Sequence, residues 1–277
     1  MTDQYAVIGN PIGHTKFPLI HGLFAQETRQ DLGYTAIEGP IEPAGAFADA
    51  VRAFFAGGGK GINVTAPFKL DAFAMSDERS ERAQIAGAAN ALKFDGGRIL
   101  ADNFDGIGLV RDIETNLNLP MAGKRVLVLG AGGAARGALL PFLEAGPAEL
   151  VIANRDVDKA RALAAQVAGR GPLVANGYAD LARMGRFDLV VNATSASLTG
   201  DLPPVPPSVF SPAGTAYELA YGKRLTPFLR LAKNAGVHGI ADGVGMLVEQ
   251  AAEAFAWWRG IRPQTSAVID RLAVPFD

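Results

Sequence analysis

The run Val126-Leu-Val-Leu-Gly-Ala-Gly-Gly-Ala-Ala135 limits the architecture of this chain more than any other stretch. Four apolar residues read as a buried strand, and the glycines turn it sharply into a helix. Gly130 permits the turn and Gly132 lets the backbone approach a pyrophosphate. Ala135 stands where only a small side chain allows the helix to pack on its strand. An anion there meets unpaired amides and the positive end of the helix dipole. With another strand following at Leu150–Ala153, the pattern is that of a dinucleotide-binding turn.

Composition is compatible with this and excludes other classes. A chain of 277 residues can bury two cores of ordinary size. Its 26 basic and 28 acidic residues leave a formal charge of −2, with no electrostatic footprint for nucleic acid or an anionic membrane. Cysteine is absent, which excludes disulfides and thiolate metal sites and fits a reducing compartment. Met1 to Asn10 lacks the pattern of a signal peptide, and no apolar run is long enough to span a bilayer. A cytoplasmic protein is the expectation.

Strand and helix signals alternate along the chain, which implies parallel pairing. Strands are expected at 4–8, 34–38, 61–64, 91–94 and 98–100, the last two a hairpin around Asp95-Gly-Gly97. Helices are expected at 18–27, 43–55, 78–86 and 106–117. Beyond the glycine turn the pattern continues with a helix at 159–167, strands at 187–191 and 215–219, a helix at 226–234 and a strand at 237–240. Two closing helices follow, at 244–258 and 263–272. A nucleotide-binding turn that begins only at Gly130 requires a separate domain in front of it. We therefore expect an α/β protein of two domains, one formed by 1–105 plus 241–277 and the other by 106–240. Glu249 and Gln250 interrupt an otherwise apolar helix and place it at a functional cleft.

Polar clusters fall at strand ends and on glycine-flanked loops, where open α/β sheets place ligands. Asn63-Val-Thr65 leads to Lys69, and Asn90 and Asp102-Asn-Phe-Asp105 stand on similar turns. Taken singly each can be a cap or an ordinary turn. Together with a dinucleotide turn, a Lys and an Asp supply the parts for proton transfer to an alcohol or carbonyl oxygen, which hydride chemistry needs. His14, His21 and His238 have no ligand spacing, so no metal is expected, and no hydrolase elbow or kinase lysine is present.

The segments Tyr5-Ala-Val-Ile-Gly-Asn-Pro-Ile-Gly-His14, Asn63-Val-Thr-Ala-Pro-Phe-Lys69, Gly130-Ala-Gly-Gly-Ala134, Asn192-Ala-Thr-Ser195, Thr226-Pro-Phe228 and Asp242-Gly-Val-Gly-Met-Leu-Val-Glu-Gln250 together resemble the shikimate dehydrogenase family from end to end. The resemblance implies a substrate domain with a mixed sheet and a Rossmann-type, doubly wound NADP domain. It also implies reversible reduction of 3-dehydroshikimate to shikimate. By that similarity Lys69 and Asp105 are the catalytic pair, and Thr15, Phe17, Asn63, Thr65, Asn90, Tyr221 and Gln250 line the substrate pocket. The cofactor would lie on Gly130, Ala131, Gly132, Gly133 and Ala134, with Asn154, Arg155 and Asp156 at the ribose, and would also touch Thr194 and Gly243. NADP is the expected cofactor with NAD the alternative, and a monomer or homodimer the expected assembly. A quinate/shikimate or shikimate-like dehydrogenase, or a dinucleotide-binding regulator without turnover, are the rival readings. The retained Lys69 and Asp105 argue against the last.

Several positions depart from the family. Its members usually carry two serines for the substrate carboxylate where this chain has Thr15 and Phe17, and a threonine where it has Phe104. Either the two rings reshape the pocket or they pack into the core. Members that use NADP commonly have threonine after the arginine, here Asp156, which can either repel a 2′-phosphate or cap a helix.

Overall fold

A computed structural model describes residues 2–222 and 224–276, Leu198 by its backbone alone. The chain divides into two compact units, one running to Gly108 and including Val248–Val268, the other comprising Leu109–Leu247 and the segment from Ile269.

The first unit carries β1 (Asp3–Gly9), α1 (Phe17–Thr28), β2 (Leu32–Glu38), α2 (Ala46–Ala56), β3 (Gly59–Val64), α3 (Lys69–Met75), β4 (Glu78–Arg79), α4 (Glu81–Ala86), β5 (Ala91–Asp95) and β6 (Arg98–Asp102), and α5 (Asp105–Arg111) begins in it. The sheet order is β2-β1-β3-β5-β6-β4. β1 pairs in parallel with β2 and β3, whereas β5 runs antiparallel to both β3 and β6. The β5–β6 pairing follows from the two-residue turn at Gly96 and Gly97, both in the left-handed region (φ +57° and +81°) that a type I′ hairpin demands. Ile8, Val51, Phe55, Ile62, Val64 and Leu92 pack in its core. Ser80 caps α4 by accepting the Ala83 amide, and Gly87 ends it in the left-handed conformation. The short β4 is not apparent in the sequence, where 78–86 reads as one helix, and α3, which the cap reading of Asn63 and Thr65 expects, opens at Lys69 with no side-chain cap.

The second unit holds a π-helical turn (Asp112–Asn116), then β7 (Arg125–Leu129), α6 (Gly133–Glu144), β8 (Glu149–Ala153), α7 (Val157–Ala165), β9 (Leu173–Asn176), β10 (Phe187–Asn192), α8 (Ala196–Thr199), β11 (Phe210–Glu218), α9 (Pro227–Asn234) and β12 (Gly239–Asp242). α10 (Val244–Arg259) starts here and continues into the first unit, and α11 is Ser266–Leu272. Its six strands lie in the order β12-β11-β10-β7-β8-β9, every pairing parallel. Chain order reverses between β7 and β10, which makes the carboxyl ends of these two strands the topological switch point of a doubly wound sheet. Val126–Leu129 and Leu150–Ala153 are buried throughout, as strands covered on both faces must be.

The helix expected over 106–117 opens after Arg111 into the wider turn, with the Leu117 amide donating to the Asp112 carbonyl. Residues 241–247 and those from Ile269 onward belong to the second unit, whereas the sequence groups all of 241–277 with the first. Phe276 packs against the second core, which accounts for the terminal part of the difference. Among the described residues no helix is long and apolar enough to cross a membrane.

Candidate active site

In the first unit, Lys69 and Asp105 each open a helix, α3 and α5. A carboxylate in a first turn suits the helix dipole, and an ammonium there does not, so Lys69 needs a compensating anion. Asp105 supplies it. Lys69 Nζ lies 2.6 Å from Asp105 Oδ2, and the two side chains keep 34% and 16% of their surface. The pair is open enough to meet a ligand.

Asn90 joins this pair to α10. Its Nδ2 donates to Asp105 Oδ1 at 2.8 Å and to Gln250 Oε1 at 3.2 Å, while its Oδ1 accepts the Phe104 amide at 2.9 Å. Its backbone is tied as well, the amide to the Asp102 carbonyl and the carbonyl to the Val64 amide. Asn103 Oδ1 accepts the Asp105 amide, and Asn103 Nδ2 donates to the Ala88 carbonyl. Behind them the buried Asp102 carboxylate receives Ser80 Oγ and Arg82 Nη2. The turn that carries Asp105 is thus fixed from several sides. Gly108 lets α5 approach α10, because a Cβ there would lie 2.6 Å from the Gln250 amide nitrogen.

The remaining substrate candidates fall into two groups. Asn63 is fully enclosed (0% exposed), and its Oδ1 accepts the Tyr34 hydroxyl at 2.6 Å. The Tyr34 ring stacks on the buried His21 at 4.2 Å, and Phe17 stacks on His21 at 6.0 Å. Burial pushes the His21 imidazole down to about 3, only partly offset by the Asn63 amide. Phe17 is half-buried at the start of α1, and its amide donates to Thr15 Oγ1. Thr65 is half-buried, with the Gly9 Cα beside its methyl: a Cβ at Gly9 would lie 2.3 Å from Thr65 Cγ2. Neither Asn63 nor Thr65 caps α3. Phe104 is a core residue, 3% exposed, edge-on to Trp257 and under the Arg82 guanidinium.

In the second unit, Gly130 takes φ +105° at the end of β7, and a Cβ there would crowd the Ala193 carbonyl and the Thr194 methyl. Around Gly132 and Gly133 the corresponding space is open, and α6 begins with no side chain capping its amides. Those amides, with Ala131 and Ala134 beside them, form a cradle suited to a pyrophosphate. Arg136 adds a cation one turn in, its buried Nε unpartnered. At the end of β8, Asn154 Nδ2 donates to the Asp156 carbonyl, and Arg155 is exposed. Asp156 caps α7, accepting the amides of Asp158 and Lys159. Tyr221 is exposed on the loop after β11, and Gly243 follows β12, where a Cβ would strike the Leu219 carbonyl oxygen at 2.2 Å. Among the described residues no group of His, Cys, Asp or Glu could hold a metal ion.

Sequence reasoning missed Tyr34, His21, Arg82, Asp102, Asn103 and Gly108. Only Asn103 and Asp102 stood in a stretch already singled out, and the others act through contacts that no local spacing encodes.

Three family models match the chain: the shikimate dehydrogenase substrate binding domain over residues 7–92, shikimate/quinate 5-dehydrogenase over 112–199 and the shikimate 5′-dehydrogenase C-terminal domain over 243–273. A shikimate dehydrogenase (NADP(+)) of Nitrosospira multiformis is 54% identical over 98% of both chains. The crystal structure of an Ael1 enzyme from Pseudomonas putida is 63% identical with a TM-score of 0.95, covering 99% of this chain and 100% of that one. The shikimate 5-dehydrogenase of Thermus thermophilus, solved with NADP(H) and shikimate, is 31% identical over 97% of each chain with a TM-score of 0.83. From the first strand of the substrate unit to the last helices, the chain belongs to the shikimate dehydrogenase family.

Proposed function

We propose that this protein is an NADP-dependent oxidoreductase that interconverts 3-dehydroshikimate and shikimate in aromatic amino-acid biosynthesis. The observation that carries the reading is the Lys69–Asp105 pair at 2.6 Å, joined through Asn90 to Gln250 and still partly open. NADPH, when bound, supplies the hydride. As the ketone is reduced, negative charge grows on its oxygen, and the Lys69 ammonium stabilises that charge and donates the proton that completes the alcohol. Asp105 holds Lys69 in place through a charge-assisted hydrogen bond, and in the reverse direction the pair accepts the proton. Asn90 ties Asp105 to Gln250 on the buried polar side of the pocket, which suits a substrate rich in hydroxyls, because such a pocket rejects analogues that leave its groups unpaired. Within the first unit Thr15 and Thr65 add hydroxyls, Asn63 is held by the Tyr34 hydroxyl, and Phe17 narrows the side that receives the carboxylate.

The second unit takes the dinucleotide. Gly130 to Ala134 would hold the pyrophosphate, and Gly243 and Thr194 would meet the nicotinamide end. Arg155 would pair with the 2′-phosphate, and Asn154 steadies the turn on which it stands. Asp156 does not oppose that phosphate, because its carboxylate is spent on the first amides of α7 and lies 3.8 Å from the Lys159 ammonium. The enzyme works in the cytoplasm as a monomer or homodimer.

Initial rates with shikimate and with quinate, each against NADP and NAD, test the assignment. Shikimate with NADP should give the highest kcat/KM. Turnover with none of the four pairs overturns it.

A further inference from the structure

Glu218 has no part in the chemistry above, yet it ends β11 at the carboxyl edge of the parallel sheet with 0% of its surface exposed. Among the described residues, four groups converge on its carboxylate. Asn192 Nδ2 donates at 3.0 Å, Thr226 Oγ1 at 3.2 Å and the Ala220 amide at 3.4 Å, and Ser197 Oγ makes a shorter contact. They come from β10, from the residue capping α9, from the loop that leads to Tyr221 and from α8. All are amides or hydroxyls, and none carries charge. Burial pushes the Glu218 carboxyl above the usual carboxylate range, against the pull of the hydrogen bonds from Ser197, Asn192, Ala220 and Thr226.

The network has a direction. A carboxylate only accepts, so the Asn192 amide must turn its Nδ2 to Glu218 and its Oδ1 away. That Oδ1 accepts both the amide and the hydroxyl of Thr194, at 3.1 and 2.7 Å. The Thr194 hydroxyl in turn accepts the Ala196 amide, and its methyl lies 3.2 Å from where a Cβ would stand on Gly130. Thr194 therefore forms a wall of the glycine turn, its hydroxyl already engaged.

We infer that Glu218 is a positioning residue of the dinucleotide site, fixing the Asn192 amide and through it the Thr194 segment against the Gly130 turn. The inference rests on the dinucleotide reading of this unit. A neutral group at 218 breaks the chain of donors. An amide there turns N–H groups toward the Asn192 and Ala220 donors, and rotating Asn192 to relieve this points its own N–H groups at the Thr194 amide.

The experiment is nucleotide titration of the wild type and Glu218→Gln with NADPH and, separately, with NADH, from pH 8 to pH 5. The variant should bind both nucleotides about fivefold to tenfold more weakly at pH 8, with kcat at saturating cofactor and KM for shikimate near the wild-type values. Wild-type affinity for NADH, which has no 2′-phosphate to titrate, should fall as Glu218 protonates, and the variant should be flat. Should Glu218→Gln not fold, Thr194→Val keeps the methyl and removes the hydroxyl, and should weaken both nucleotides likewise. Unchanged dissociation constants in whichever variant folds, with or without a lower Tm, overturn the inference. A wild type that binds neither nucleotide overturns the dinucleotide reading and this inference with it.

Discussion

Each unit contains a carboxylate-centred network, and the two differ in what they leave open. In the first, Asp105 and Lys69 retain part of their surface, while the Asn90 amide beside them is fully engaged by Asp105, Gln250 and Phe104. In the second, every donor around Glu218 points inward and the carboxylate sees no solvent. A charged group kept partly open can act on a ligand, because its desolvation is completed only when the ligand arrives. A sealed one can only hold its neighbours. Exposure therefore sorts polar residues of this fold into those whose loss costs turnover and those whose loss costs stability or alignment.

The largest expected effect tests the open side of the contrast. Lys69→Ala should lower kcat by roughly 10² to 10⁴, with substrate KM changed far less, because the ammonium acts mainly on the transition state. Its Tm should stay close to that of the wild type. A collapse of Tm along with kcat breaks the comparison.

His21 tests the sealed side. Its folded-state pKa is about 3 against an ordinary 6.5, so between these values the unfolded chain binds the proton more readily. Stability should therefore fall as pH drops from 6.5 toward 3, by on the order of 5 kcal/mol across the window. Urea unfolding of wild type and His21→Phe at pH 7 and pH 4 checks this. The variant should lose distinctly less on acidification, and equal losses count against the assignment.

Two smaller effects sharpen the contrast. Arg155 is exposed, so Arg155→Ala should leave stability alone and weaken NADP about tenfold more than NAD, as measured by KM for each cofactor. Equal losses would remove Arg155 from the 2′-phosphate. Phe17 stands between the extremes, half-buried against His21. Phe17→Ser should raise kcat/KM for shikimate up to about tenfold by restoring a donor to the carboxylate, with a modest fall in Tm. A lower Tm with unimproved kinetics places Phe17 wholly on the packing side.

The parts of the fold legible in the sequence are those set by local rules. The glycine turn, the strands that flank it and the Gly96-Gly97 hairpin are each specified within a few residues. β9 has only four residues beside a Gly-Pro pair, too few for a periodic signal, and α3 lacks the cap that Asn63 or Thr65 would signal, so its start is not legible. Lys69 and Asp105 are 36 residues apart, so no spacing joins them: residue chemistry suggests a Lys and an Asp for proton transfer, and the family resemblance singles out this pair. From sequence Phe104 reads equally well as pocket or core, and Trp257 and Arg82 around it place it in the core. Glu218 was one more residue of an expected strand. A network of single hydrogen bonds from four elements leaves no pattern in any one of them.

Asn90 carries a further consequence. Its side chain and backbone satisfy Phe104, Asp105, Gln250, Asp102 and Val64 together. Aspartate would set an oxygen against the Asp105 carboxylate, serine has one polar atom where two are used, and glutamine brings an extra methylene into a closed space. No single replacement preserves all five contacts. In the space of sequences reachable by one substitution, position 90 is an island, and drift at this site has to wait for its neighbours to change first.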